Sequence, residues 1–185
     1  MDTEANRKFA SAAHPLNWYE VAKLLHENAS TLHNSPQGYV TYSDGVNEIT
    51  KKTSNRSVFL LAAFALENLI KAFLIYENPK YIEGGRLSDQ LLNKHSLSKL
   101  QKQCKNIPSP KRTLHVFETL EVGVNSWARY PCATSIDRES QERTVTPQFW
   151  EAYNNVFNLY SKKLEKLLSK KWKGAYGEEG HVKFS

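Results

Sequence analysis

An all-α fold, an antiparallel up-and-down bundle of about five helices, is predicted for this 185-residue chain by three observations. Apolar residues recur every three or four positions over several long stretches. Pro falls between those stretches or in their first turn. No convincing β-hairpin, βαβ unit or internal repeat of 20 to 50 residues interrupts the pattern.

The first element follows a polar start and runs from Leu16 to about His33. Trp18, Ala22, Leu25, Ala29 and Leu32 share one of its faces, and Pro15 suits its first turn. Asn34-Ser35-Pro36-Gln37-Gly38 ends it. Residues 39–53 send mixed signals: Tyr39, Val40 and Tyr42 favour strand, Asp44-Gly45 a turn, and a short helix or ordered connection is expected. A helix from about Ser54 to Tyr76 then stops at Asn78-Pro79. Lys80 to Gln90, with Gly84-Gly85, reads as loop. A short helix across Ser96 to Gln103 carries Leu97, Leu100 and Cys104 on its apolar face, and Pro108 and Pro110 close it. From Lys111 to Trp127, Leu114, Phe117, Leu120, Val124 and Trp127 form an amphipathic stripe. Residues 128–145 are loop-like and charged. Thr146 and Pro147 open the last helix, whose stripe is Phe149 or Trp150, Tyr153, Val156 or Phe157, Tyr160, Leu164, Leu167 and Leu168. The organisation expected is a flexible segment over 1–13, one helical domain over 14–173, and a Gly-rich frayed tail over 174–185.

Within the helix at 54–76, FLLAAFALENLIKAFLIY is apolar except for Glu67, Asn68 and Lys71. Its length suffices to cross a bilayer. Two charges near its centre would each cost roughly 2.5–3.5 kcal/mol there, although the i to i+4 spacing lets them pair. A central core helix is the better reading, with Glu67 and Lys71 facing either solvent or a polar cleft. No membrane contact is expected.

The composition, 40% hydrophobic and 24% charged with a mean hydropathy of −0.58, is that of a globular domain able to bury its own core. The formal charge of +6 and pI near 9.2 are compatible with an anionic partner. Cys104 and Cys132 are too few for a disulfide framework, and MDTEANRKFASAA lacks the apolar run of a signal peptide. A reducing, cytoplasmic location is therefore the default. Zinc-ligand spacings, Gly-rich phosphate loops and nucleophile elbows are lacking, so no metal or cofactor is expected.

ALENLIKAFLI, then KHSLSKL after a loop, then a helix ending in NSWARYP, resembles the HEPN superfamily over about residues 14–172, closest to its uncharacterised prokaryotic branches. The residues that carry the resemblance are Glu67, Lys71 and Ala72; His95, Leu97 and Leu100; and Trp127, Arg129, Tyr130 and Pro131. It implies a helical bundle, commonly a homodimer. Many members are RNA-cleaving toxins or defence effectors, and others are inactive RNA- or nucleotide-binding modules. Active members carry Arg, four to six residues, then His late in the bundle, for acid/base chemistry and charge stabilisation at a phosphodiester. Here Arg112 and His115 are only three apart, and Arg7 with His14 lies in the polar start, so catalysis by that route is not expected.

Glu67, Lys71, His95, Arg129 and Tyr130 are the candidate ligand-binding residues. Glu67, His95 and Arg129 would be the catalytic candidates should the chain act as an enzyme. If they converge they make a small mixed-charge pocket suited to a phosphate-bearing ligand. The C-terminal run SKKLEKLLSKKWK offers Lys170 and Lys171 to phosphates and Trp172 to a base. The alternative is a solvated basic face at a helix end. Two functions follow: a HEPN-like RNA- or nucleotide-binding protein, or a non-catalytic helical module that dimerises or docks to a neighbouring protein.

Overall fold

The structure, a computed structural model, describes residues 3–92, 95–131, 135–138 and 141–184; Cys132 and part of the 128–145 loop lie outside them. Helices dominate. The chain order is α1 (Glu4–Ala12), α2 (Pro15–Asn34), β1 (Tyr39–Ser43), β2 (Glu48–Lys52), α3 (Asn55–Glu77), α4 (Asp89–Leu92), α5 (Leu97–Gln101), α6 (Lys111–Asn125), α7 (Pro147–Leu168), β3 (Trp172–Lys173) and β4 (Glu179–Gly180). A 3₁₀ segment, Pro79–Gly85, follows α3.

α3 is the centre. Along it Phe59, Leu66, Leu69, Ile70, Phe73 and Ile75 are buried, and Ala62, Ala63 and Ala65 let neighbours approach closely. The helix is long and apolar enough to span a bilayer, yet 78% of that stretch is buried inside the molecule. Its cover comes from α2, α5, α6 and α7. Early α2 meets late α3, where the Lys71 amine lies 5.8 Å from the Trp18 ring, and the end of α2 is tied to the start of α3 by Ser54 bonding Gln37. Phe59, early in α3, packs edge-on against Trp127 beyond the end of α6 and stacks on Phe149 at the start of α7.

Local chemistry explains most boundaries. His14 Nδ1 accepts from Leu16 N at 3.0 Å to cap α2, and Thr146 Oγ1 accepts from Phe149 N at 3.1 Å to cap α7. The α7 stripe is buried as its spacing predicts. α6 is rotated from the expected face. Leu114 is 52% exposed, while Thr113, Val116, Phe117 and Leu120 pack inward with Trp127. Position 114 is one residue, or about 100°, off that true stripe.

Three stretches are more ordered than expected. Residues 39–52 form an antiparallel hairpin, not a helix or plain connection, with Tyr42 opposite Ile49 and Thr41 opposite Thr50. Asp44 Oδ1 accepts from the N–H groups of Val46 and Asn47, and Gly45 adopts a positive φ of 86°, so the turn supplies its own geometry. The segment before Leu16 forms α1, capped by Thr3, and rests on Pro79–Gly85 with Ala10 and Ala13 buried. Lys80 to Gln90, expected as loop, hold most of the 3₁₀ segment Pro79–Gly85 and the start of α4. The tail is anchored as well: Val182 N donates to Leu168 O at 2.9 Å, and Tyr176 Oη accepts from Gly84 N at 2.8 Å.

Three histidines of the α2 region pack against aromatic rings. His14 meets Trp172 edge-on at 4.6 Å, His26 stacks on Phe157 at 4.0 Å, and His33 stacks on Trp150 at 4.4 Å. Burial pushes all three below the ordinary value of 6.5, so each is neutral in the folded state. With folded values depressed, protons bind the unfolded chain better, and stability present above pH 6.5 is lost as pH falls below it. The denaturation midpoint is therefore expected to drop between pH 7.5 and 5.5. An unchanged midpoint, or one that rises, would show that these rings do not couple to folding.

Candidate functional site

The polar residues of α3 meet a short helix that α6 holds in place. Ser96 caps α5 through Lys99 N, and Glu121 of α6 accepts from Ser98 N at 2.8 Å and from the Ser96 and Ser98 hydroxyls. That clamp sets His95 beside the middle of α3. Glu67 Oε1 accepts from Lys71 Nζ at 2.6 Å and bonds His95 Nδ1 at 3.0 Å. Both α3 residues are buried, Glu67 at 8% exposure and Lys71 at 5%, whereas the His95 side chain is 63% exposed. The Lys71 ammonium also sits over the face of Trp18.

This geometry has a defined chemistry. An ionised carboxylate only accepts, so the bond to His95 requires the proton on Nδ1 and leaves Nε2 for a ligand. A carboxylate-oriented imidazole of this kind can exchange protons with a bound group. The cluster is not a strong anion trap, because Lys71 is already neutralised by Glu67. Next to it, Trp18 and Asn68 also line an apolar groove of about 310 Å³ with Phe9, Ala13, Val21 and Leu87.

Of the candidate residues, Glu67, Lys71 and His95 come together. Arg129 and Tyr130 do not. Both are exposed at the other end of α3, with the Arg129 guanidinium 5.3 Å from the Tyr130 ring. Tyr130 O accepts from Arg56 Nη1 at 3.0 Å, and Arg56 precedes Glu67 by eleven residues, about 17 Å along the helix. Lys170 and Lys171 are exposed past the end of α7. Trp172 is not open to a base, which corrects its assignment to a nucleic-acid contact. It is 7% exposed, lies edge-on to His14, and donates from Nε1 to Tyr76 O at 3.0 Å.

Trp18 and Glu121 belong to this neighbourhood and were not singled out from sequence. Trp18 reads as one more core residue of an amphipathic stripe, and Glu121 lies 25 residues from the serine it supports. Only the packing of α2 and α6 around α3 brings them in.

Removing one partner of a buried ion pair strands the other. Glu67→Ala is expected to destabilise the fold by about 3–5 kcal/mol, while the joint Glu67→Leu, Lys71→Met replacement recovers most of that loss. His95→Ala, at an exposed position, should cost under about 1 kcal/mol. Urea melts of the variants check the order; a Glu67→Ala protein as stable as wild type would mean the pair is solvated. Comparison of the chain with protein-family models, with curated proteins and with solved structures finds no match.

Proposed function

We propose that this protein is a HEPN-like helical module that binds RNA or another phosphate-bearing ligand rather than cleaving it. The observation that carries the reading is the Glu67–Lys71–His95 cluster, in which a buried carboxylate paired with Lys71 orients an accessible imidazole, so that a ligand there meets the His95 ring and not a net cation. Those residues belong to the same short motifs that carry the HEPN resemblance. The opposed ends at which α2 and α6 meet α3, and the matched ends at which α7 does, support an up-and-down bundle. The net charge of +6 favours an anionic partner. The missing Arg-to-His spacing argues against the family's usual ribonuclease chemistry. A role as a defence or toxin-type effector, and a cytoplasmic location, go with this reading.

Incubation with total RNA separates binding from cleavage. The wild-type protein is expected to retain RNA in a salt-sensitive manner and leave it intact, and His95→Ala is expected to weaken retention severalfold. RNA cut by the wild type and spared by the His95→Ala protein would instead restore the enzyme. Retention unchanged by that substitution would remove the cluster from the site.

A second reading, a homodimerising or partner-docking module, draws on exposed apolar side chains of the main helices. Val21 and Leu24 on α2 and Phe64 on α3 stay open to solvent beside the apolar groove. Light scattering at high protein concentration is expected to give a dimer that Leu24→Asp dissociates. A monomer for the wild type would dispose of self-association.

A further inference from the structure

We propose that the root of the β1–β2 hairpin, with the chain segments packed against it, is a binding surface for single-stranded RNA. The inference rests on the RNA reading above but places the contact on residues outside the Glu67–His95 cluster.

The first support is charge. Glu142 Oε2 lies 3.1 Å from Lys51 Nζ and 2.9 Å from Arg56 Nη2, so one carboxylate faces two cations. Burial alone would push that carboxyl up. Hydrogen bonds from Arg56, Lys51 and Asn55 outweigh it and hold the group below the usual carboxylate range, which keeps Glu142 ionised and the pairing intact. One positive charge is left over. Lys52, Arg129 and Arg143 make no ion pair among the described residues. They are close by: Lys52 follows Lys51 and lies near enough to His33 to disfavour its protonation, Arg143 follows Glu142, and Arg129 precedes the residue whose carbonyl holds Arg56. The acidic groups of the hairpin sit at its other end. Glu48 is four residues from Lys52, about 13 Å along the strand, and Asp44 is engaged by the turn N–H groups. The root therefore presents a concentrated positive field.

The second support is aromatic. Tyr39, directly opposite Lys52, is 60% exposed, and Tyr130 is 41% exposed, so two phenol rings stand open at the root beside the cations. Exposed tyrosines alone are ordinary strand formers. A two-stranded hairpin with neither face covered is marginal in water, however, and rings left bare next to unpaired cations are what unpaired bases and their phosphates require. The third support is shape. Between the hairpin and the segment before α7 lies a cavity of about 460 Å³, lined among others by Tyr39, Lys51, Lys52, Asn55, Thr144 and Glu142, the last held by Lys51 and Arg56, and large enough for a nucleobase with its phosphate. By contrast Trp172, the ring next to Lys170 and Lys171 in the chain, is buried.

Stacking on tyrosine needs bases free of a duplex, which selects single strands. The test is fluorescence anisotropy of a labelled single-stranded RNA of about 12 nucleotides against the full chain, over a range of salt. Lys51→Ala with Lys52→Ala should weaken binding at least tenfold and lower the salt slope by about 1.4, because two fewer phosphates are neutralised. Tyr39→Ser should weaken it about tenfold with the slope unchanged. Circular dichroism melts matching wild type confirm that both variants fold, and Lys170→Ala with Lys171→Ala should bind as wild type. Wild-type affinity in both hairpin variants, or loss confined to the Lys170 and Lys171 variant, overturns this surface and leaves the RNA reading standing. No binding by the wild type overturns both. Equal affinity for the matching duplex overturns the role of the tyrosines.

Discussion

Most of the side chains of α3 are apolar and buried, with a strip at Leu61, Phe64 and Asn68 left partly open, and most of the remaining chain is arranged to cover this helix. α2 lies against it closely because the contact is rich in alanine. α5, α6 and α7 take the other sides, and their own stripes face inward for the same reason. The tail and α1 follow the same logic at smaller scale, closing the end where α3 runs into Pro79.

The buried middle of a core helix has no cheap place for charge, which is why Glu67 and Lys71 matter. Their pair tolerates burial because one oxygen receives both an ammonium and an imidazole, and because the ammonium rests on an indole face. The third member, His95, is positioned from outside by Glu121 and the α5 cap. The cluster thus couples the core helix to the surface at one point. Chemistry directed at a ligand there depends on the stability of the core beneath it.

The other polar concentration lies at the opposite end of α3. Asn55 accepts from Val145 N and donates to Arg143 O, and Arg56 reaches both Glu142 and the Tyr130 carbonyl. The first turn of the helix thereby gathers the hairpin, the end of the α6 connection and the lead into α7. It is a structural junction that also collects exposed cations and tyrosines. Its residues come from four stretches of sequence, none of which looks basic enough alone to attract notice.

Helical character, the extents of α2, α3 and α7, the cap at Thr146 and the stop at Pro79 were legible in the sequence. Each depends on periodicity or on a residue within one turn, and such signals are local. The meeting of Glu67 with Lys71 was legible for the same reason, being one turn of helix. The hairpin was not, since its strand formers face water on both sides and show no alternation of apolar with polar residues. Only tertiary structure decided that His95 joins Glu67 while Arg129, beyond the end of α6, lies near the first turn of α3, that Leu114 points outward, and that Trp172 is sealed beneath Tyr76 and His14. Those outcomes turn on how helices rotate and slide against α3 to exclude water, a property of the packed whole that no single stretch of the chain carries.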